Sequence, residues 1–161
     1  MGRVHSFEPI EDRNSEVLIL GSMPGRVSLT AGEYYAHPRN VFWRIISELL
    51  QFDATSAYER RVQALKSARI ALWDVLQSCT REGSLDAMIE NDTLIANDFR
   101  TFFRTHKGIK YVFFMVRKQK LVIDGMCYAR STMVLLVTRA SRPRVRLTPP
   151  CPSHVSLKRG R

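Results

Sequence analysis

Cysteine is scarce in this chain, which has three among its 161 residues. Cys79, Cys127 and Cys151 lie far apart, no C-x-x-C pair occurs, and an odd count does not suit a disulfide framework. The four histidines are scattered too, so no metal-ligand spacing is present. We therefore expect no metal site and no cofactor.

Long apolar runs are also missing. No window approaches the run of about 18 apolar residues that predicts a membrane span. The first ten residues contain neither a long apolar run nor a small-residue cleavage site, so no secretory signal is predicted. With 45% apolar and 25% charged residues, the composition is that of one ordinary globular domain. The expectation is a cytoplasmic protein.

Acidic residues are nearly absent from the last 47 positions. Residues 115–161 hold 11 Lys and Arg but a single acid, Asp124, whereas residues 1–114 hold 14 of each sign. The net charge of +10 therefore belongs entirely to the C-terminal segment. Such a segment is typical of a nucleic-acid-binding arm, or of a sequence that does not belong to the domain before it.

Apolar strands alternate with amphipathic helices in the first 114 residues. Three short apolar runs predict buried strands, over residues 16–20, 70–73 and 111–114. Helical spacing predicts four helices, over residues 41–52, 57–68, 84–90 and 97–106. This order predicts an α/β fold in which helices cover both faces of a parallel sheet.

The remaining segments carry weaker signals. Residues 1–15 are predicted to be a polar lead-in, and residues 21–40 a loop, because glycine and proline interrupt regular structure there. After Phe114 the pattern breaks. Residues 133–137 could form a strand, and the proline- and arginine-rich sequence from Arg139 onward predicts disorder.

Three motifs in the predicted loop point to a family. They are GSMPG at residues 21–25, YYAHPRN at 34–40 and FW at 42–43. At this spacing they resemble the DNA-deoxyinosine (hypoxanthine-DNA) glycosylases, a branch of the uracil-DNA glycosylase superfamily. LWDVL at 72–76, REGSLD at 81–86 and NDF at 97–99 are similar to the same family. The resemblance covers residues 7–114 and implies a three-layer αβα fold with a central, mostly parallel sheet.

The resemblance implies a base-excision site in this loop. A glycosylase takes the damaged nucleotide out of the stack and holds its base in a closed pocket. The first motif would approach the sugar–phosphate backbone through glycine and loop N–H groups, with contacts from Gly21, Ser22, Met23, Pro24 and Gly25. An aromatic ring would stack on the flipped base, the candidates being Tyr34, Tyr35 and Phe42.

Met23 decides where the catalytic residue is expected. Better-known branches of the superfamily carry Asp or Asn at this position, and a thioether cannot orient or activate water. The resemblance to the deoxyinosine branch therefore implies that Asn40 orients water and supports the developing charge by hydrogen bonds. His37 could donate a hydrogen bond to a phosphate or to the base.

Structural interpretations of these residues remain open. Asn40 stands where a helix N-cap is expected, and His37 before proline fits a loop hydrogen-bonding role. Tyr34 and Tyr35 fit ordinary loop packing. Asp74 directly follows a predicted strand, where a helix cap is commoner than an active carboxylate.

The resemblance stops at Phe114. An Asn-Gly pair and a later Pro-Ser-Thr-Ser-Pro-Ala segment are expected after it, but Met115 and Val116 follow instead. One A added before their codons makes AAT GGT, which encodes Asn-Gly, and the same frame permits the Ser-Pro segment across codons 141–152. We therefore hypothesise that residues 1–114 form a glycosylase-like domain and that residues 115–161 are out of frame and partly disordered.

The predicted activity is that of a monofunctional DNA glycosylase. Its partner would be DNA containing a deaminated base, with hypoxanthine first and uracil or mismatched thymine as further candidates, and the protein would be a monomer away from membranes. Because the Asn-Gly pair and the Ser-Pro segment are missing, weak or absent activity is expected. One alternative is a non-catalytic nucleic-acid-binding protein that uses the basic tail. An unrelated α/β hydrolase is weaker, since Ser22 is not in G-x-S-x-G.

Overall fold

A computed structural model describes residues 2–85, 88–115, 121–123, 126–128 and 145–146. Nine strands occur in these ranges: β1 (Gly2–His5), β2 (Val17–Gly21), β3 (Ile70–Asp74), β4 (Leu76–Arg81), β5 (Ile95–Ala96), β6 (Tyr111–Phe114), β7 (Leu121–Ile123), β8 (Met126–Tyr128) and β9 (Val145–Arg146). Four α-helices occur in the same ranges: α1 (Arg26–Ala31), α2 (Phe42–Leu50), α3 (Tyr58–Ser67) and α4 (Phe99–Thr105). A 3₁₀ turn over Asn91–Thr93 is also described.

A parallel sheet of order β3-β2-β6 forms the centre, as the three apolar runs predict. Strand β2 pairs in parallel with both neighbours, and Gly21 lies opposite Asp74 at the carboxyl ends of β2 and β3. Side chains alternate between the faces, so Leu18 and Leu20 pack toward α4 while Ile19 packs toward α2 and α3. Helices therefore cover both faces, which confirms the predicted three-layer α/β fold.

A second sheet is antiparallel and has the order β1-β4-β5. Its strand β4 directly follows β3 of the first sheet along the chain. Residues 2–5 are thus a strand rather than the predicted polar lead-in. The predicted helix over residues 84–90 is present only in part among its described residues: Met88 is in a 3₁₀ conformation and its N–H donates to the Leu85 carbonyl at 3.0 Å, whereas Ile89 forms a bridge with Arg81. Residues 2–5 were missed because they satisfy their backbone groups by pairing with β4, which is distant in sequence.

The helix predictions agree more closely with the structure. Helices α2, α3 and α4 all form, and Asp98 caps α4 by accepting a hydrogen bond from the Thr101 N–H at 3.0 Å. Helix α4 ends at Thr105, one residue before the predicted end at His106. Helix α1 was not predicted and occupies part of the expected loop.

The C-terminal segment is described only as backbone in β7, β8 and β9, which form an antiparallel sheet of order β8-β7-β9. The predicted strand over residues 133–137 lies outside the described residues. The proposed domain boundary at residue 114 and the frameshift stay predictions.

Candidate active site

The GSMPG motif, residues 21–25, forms a loop at the carboxyl end of β2, which we call the first loop. Its backbone is anchored because the Val75 N–H donates to the Gly21 carbonyl at 2.9 Å and the Leu76 N–H to the Ser22 carbonyl at 3.2 Å. Buried Arg81 donates to the Pro24 carbonyl at 2.6 Å. The first loop is therefore held by backbone and buried side-chain hydrogen bonds along its length.

Met23 turns into a small core cluster formed with Leu76, Cys79 and Ile89. It is 7% exposed, so the structure uses the thioether for packing. This placement agrees with the sequence argument that Met23 cannot replace a water-orienting Asp or Asn. Catalytic groups must come from elsewhere in the site.

Asp74 lies at the end of β3, opposite Gly21. It is 3% exposed, and the Ser6 hydroxyl donates to its Oδ2 at 2.9 Å. A Cβ added at Gly21 would lie 2.3 Å from Asp74 Oδ1 and 3.1 Å from the Tyr35 hydroxyl. Only glycine therefore leaves room for both oxygens at the end of β2.

The YYAHPRN motif, residues 34–40, forms a second loop that leads into α2. The Tyr34 N–H donates to the Tyr58 hydroxyl at 3.0 Å, and the Trp43 indole N–H donates to the Tyr34 carbonyl at 2.7 Å. The Ala36 N–H donates to the Ser28 hydroxyl at 3.2 Å. Contacts from three helices therefore position this loop.

The three aromatic candidates differ in exposure. Tyr34 and Phe42 are 3% and 2% exposed and belong to the core cluster beneath the loop. Tyr35 is half-buried, and its ring stacks on Phe42 with centroids 4.1 Å apart. Of the three, Tyr35 is the ring that lines a cavity.

Tyr35 also has a strained backbone, with a φ of 55°. A residue with a Cβ in this left-handed region costs about 1–3 kcal/mol, and such residues cluster at functional sites. The surrounding contacts of the second loop must offset this cost. Tyr35 is thus a ring held in one orientation at the edge of the sheet where ligands of open α/β proteins bind.

Asn40 is exposed and directly precedes Val41, which is the N-cap residue of α2. Its Oδ1 accepts a hydrogen bond from the Phe42 N–H at 2.8 Å, which closes a turn at the entry to the helix. Because the donor is a backbone N–H, this contact assigns the oxygen to the helix side and the amide NH₂ group to the other side. The predicted N-cap is therefore wrong by one residue, and the amide N–H groups are what Asn40 can offer to a substrate.

His37 is exposed on the same loop. Its Nδ1 accepts a hydrogen bond from the Arg39 N–H at 3.1 Å, and its carbonyl accepts one from the Asn40 N–H at 2.8 Å. In the neutral ring this leaves the proton on Nε2, which makes that nitrogen a donor. His37 and Asn40 therefore both present N–H groups.

An open cavity of about 270 Å³ lies along the second loop. Two arginines, Arg44 and Arg61, and one acid, Glu33, line it. Arg61 pairs with Glu33 at 3.1 Å and lies over the Trp43 ring at 4.9 Å. The other described lining residues are Tyr35, Ala36, His37, Pro38, Asn40, Trp43 and Ala54.

Tyr35 is the residue that lies both on the cavity and near the carboxyl ends of β2 and β3. Among the described residues, the lining includes Tyr35 but neither Asp74 nor any member of the first loop. The structure thus brings Tyr35, His37 and Asn40 together on the cavity. Gly21 and Asp74 do not line the cavity and lie on the side of the Tyr35 hydroxyl. The first-loop residues therefore stand apart from the cavity.

Two tyrosines near the site have altered proton affinity. Burial, followed by the charge of Asp74, raises the pKa of Tyr34 far above its ordinary value. Burial also raises the pKa of Tyr58. Both phenols are therefore neutral in the folded protein at physiological pH.

Sequence reasoning passed over Arg81 and Ser6 and treated Asp74 as a helix cap. The signal for Asp74 was its position directly after an apolar strand, which places a carboxylate at the ligand-binding edge of a parallel sheet. Ser6 and Arg81 carried no comparable local signal, because their partners lie 68 and 57 residues away.

Comparison with known proteins places the chain in a family. Residues 8–146 match the profile of the uracil DNA glycosylase superfamily. The chain is 40% identical over 142 residues to a hypoxanthine DNA glycosylase of Methanosarcina barkeri, covering 86% of this chain and 87% of that one. It is 36% identical over 126 residues to a hypoxanthine DNA glycosylase of Methanosarcina acetivorans, covering 76% and 78%.

The chain belongs to the uracil DNA glycosylase superfamily. A solved structure from Methanosarcina acetivorans, provisionally named a uracil DNA glycosylase, superposes with a TM-score of 0.62 at 34% identity over 70% of each chain. The protein is accordingly a DNA glycosylase by family, a class of hydrolases that act on N-glycosyl bonds.

Two further findings concern the described part of the glycosylase. Its helices there are all too short or too polar to cross a membrane. No group of three or more His, Cys, Asp or Glu side chains within the described ranges could hold a metal ion. The cytoplasmic location stays a prediction.

Proposed function

We propose that this glycosylase removes a deaminated base from DNA, hypoxanthine in preference to uracil or mismatched thymine. The observation that carries the proposal is Tyr35, a ring held by a strained backbone at the carboxyl edge of the parallel sheet. Phe42 covers one face of this ring. A flipped base stacks on the other. The two relatives named hypoxanthine DNA glycosylases support the choice of base.

The reaction is hydrolysis of the N-glycosyl bond. Water adds to C1′ of the sugar, the bond from C1′ to the base breaks, and its electron pair leaves with the base, which takes up a proton. Positive charge develops on the sugar and negative charge on the departing base. Donors aimed at the base therefore lower the barrier. Asn40 and His37, whose outward groups are N–H donors, have this role.

This assignment keeps one part of the expected role of Asn40. The resemblance implies that Asn40 orients water and supports the developing charge by hydrogen bonds. Its oxygen already accepts a hydrogen bond from the Phe42 N–H at 2.8 Å. Stabilisation of the departing base through the amide N–H groups fits the geometry better.

The DNA backbone is assigned to the first loop. Backbone N–H groups of glycine-containing loops bind phosphate, and Gly21, Ser22 and Gly25 remain candidates for this contact. The buried side chain of Met23 would contribute through the core rather than by touching DNA. We further propose that the protein acts on DNA as a monomer.

Substitution of Asn40 tests the proposal. A Ser hydroxyl can also accept a hydrogen bond from the backbone N–H two residues on, so Asn40→Ser keeps the turn that leads into α2 and removes only the amide donors, whereas Asn40→Ala removes both. We expect both variants to lose about a hundredfold in the single-turnover excision rate, as when one transition-state donor is removed. Only Asn40→Ala should also lower the melting temperature.

The assay uses duplexes that contain inosine, uracil or a T mismatch, followed by cleavage of abasic sites. The proposal fails if the wild-type chain in excess, and a frame-restored version of it, leave all three duplexes intact. It also fails for Asn40 if Asn40→Ser excises at the wild-type rate.

The C-terminal segment should limit the rate. We propose that residues 115–161 are out of frame, so this chain excises more slowly than a version with one base restored. Sequencing the encoding DNA across codons 113–116 tests this directly. If no single-base insertion opens a frame containing the Ser-Pro segment, the frameshift hypothesis is wrong.

The charge distribution supports a second candidate function. With 11 Lys and Arg against one acid in residues 115–161, the tail could bind nucleic acid without catalysis. Such binding would fall steeply with salt and would be equal for damaged and undamaged duplexes. Lesion-dependent abasic sites would exclude it as the sole function.

A further inference from the structure

Asp74 is a buried acid that the reaction described above does not use. It is 3% exposed, and a carboxylate in this environment is costly unless hydrogen bonds compensate. Ser6 supplies one of them, donating to Oδ2 at 2.9 Å. The Asn97 side-chain amide donates to the main-chain carbonyl of Asp74 at 2.8 Å, which holds the residue from its backbone side.

The other carboxylate oxygen points to the end of β2. Asp74 Oδ1 lies 2.3 Å, and the Tyr35 hydroxyl oxygen 3.1 Å, from the point that a Cβ on Gly21 would occupy. Both oxygens therefore converge above the same glycine. The first glycine of GSMPG is explained by this convergence, because any side chain at residue 21 would push the two groups away.

Tyr35 needs a contact at its hydroxyl to keep its ring in one position. Its backbone is strained at a φ of 55°, and its ring is stacked on Phe42 at an interplanar angle of 22°. Stacking fixes the plane of the ring but allows it to slide within that plane. A contact at the hydroxyl end removes this freedom.

We propose that Asp74 is a positioning residue that accepts a hydrogen bond from the Tyr35 hydroxyl and so fixes the ring on which the flipped base stacks. This rests on the proposed function. Ser6 orients the carboxylate, Asp74 holds the hydroxyl, and Phe42 supports the ring. The raised pKa of Tyr34, caused in part by Asp74, agrees with a negative charge that faces the tyrosine pair.

The test compares Asp74→Asn, Tyr35→Phe and the double variant in the full-length chain. The control is Asp98→Asn, because the Asp98 carboxylate is exposed and caps α4. Two readouts are needed. One is the NMR signal of Tyr35 in protein labelled with ¹³C-tyrosine, and the other is single-turnover excision with enzyme in excess, analysed for maximal rate and half-saturation.

We expect Asp74→Asn to shift and broaden the Tyr35 signal and to lower the maximal excision rate about tenfold or more, since a misplaced group of this kind costs up to about a hundredfold. Tyr35→Phe should lower the rate similarly. The double variant should lose no more than either single variant, because both remove the same contact. Asp98→Asn should lower the melting temperature alone.

The results test the role of Asp74 and the proposed function separately. If Asp74→Asn changes stability but leaves the Tyr35 signal and the maximal rate at wild-type values, Asp74 is merely structural and the inference is overturned. Additive losses in the double variant would overturn it as well. If the wild type excises no lesion, the proposed function fails, and an unchanged Tyr35 signal in Asp74→Asn then shows separately that Asp74 does not hold the ring.

Discussion

The two loops at the candidate site are built in opposite ways. In the first loop, residues 21–25, the Met23 side chain is buried, and Arg81 and two N–H groups from the start of β4 bind its carbonyls. In the second loop, residues 34–40, the last four residues are exposed and Tyr35 has a strained backbone. The first loop is thus a fixed support, and the second presents the groups that can react.

This difference shows how a glycosylase can lack the usual catalyst in its first loop. Met23 stabilises the loop by packing, which a charged or amide side chain at that position could not do without a hydrogen-bonding partner. In the proposed function the chemistry is assigned to donors on the neighbouring loop, His37 and Asn40. In this proposal the first loop contributes stability, the second loop supplies the reactive groups, and the Tyr35 ring lies between them.

The largest expected effect concerns the support of the first loop. Arg81 is 3% exposed and donates to the Pro24 carbonyl at 2.6 Å, so Arg81→Met leaves that carbonyl without its charged donor. We expect the free energy of unfolding to fall by about 2–3 kcal/mol, measured by urea denaturation. Arg100→Met, on the exposed side of α4, should change it by less than about 0.5 kcal/mol. Equal effects would mean that the first loop is not held by Arg81.

The two glycines of the first loop should respond differently to alanine. At Gly21 an added Cβ would lie 2.3 Å from Asp74 Oδ1, whereas at Gly25 the nearest atom is the Ser84 Cβ at 3.9 Å. We expect Gly21→Ala to cost about 1–3 kcal/mol in urea denaturation, because the buried carboxylate must move. Gly25→Ala, at a φ of −73°, should be neutral. A neutral Gly21→Ala would show that the strand ends are not crowded.

The smallest expected effect is on the pH dependence of stability and concerns Tyr34, a buried residue of the second loop. The pKa of Tyr34 is raised by burial and by Asp74, so the folded state keeps the phenol proton at a pH where the unfolded chain releases it. The stabilisation is complete below about pH 10, the pKa of an unfolded tyrosine, and is lost as the pH rises toward the folded value. Tyr34→Phe should therefore flatten the fall of the urea midpoint above pH 10. Some slope should remain from Tyr58, and an unchanged slope would contradict the assignment.

Much of the fold could be predicted from local patterns. The strands Val17–Gly21, Ile70–Asp74 and Tyr111–Phe114 are continuous apolar runs, which is what a strand buried on both faces requires. Helix Phe42–Leu50 has an apolar face at helical spacing. Strands β1 and β4 were missed because their polar and apolar residues follow no clean alternation, and they pair across about 75 positions of sequence.

The sequence predicted candidate residues for the site but not their geometry. The motif spacing indicated Asn40, His37 and Tyr35, and the structure places all three on one cavity. It could not show that the Asn40 oxygen is taken by the Phe42 N–H, since Asn as a cap and Asn as a donor look the same in sequence. The choice of Tyr35 over Tyr34 and Phe42 likewise depends on burial, which only packing determines.

The sequence by itself determined the parallel sheet, its covering helices and the family, because hydrophobic period and short motifs are local properties of the chain. The tertiary structure alone decided that Ser6, Gly21, Tyr35 and Asp74 meet at one point. Strand register places Gly21 opposite Asp74, the Ser6 hydroxyl donates to the Asp74 carboxylate, and the second loop brings the Tyr35 hydroxyl to 3.1 Å from the point that a Cβ on Gly21 would occupy. Contacts of this kind join residues up to 68 positions apart, and no local pattern records which side chains a given register will bring together.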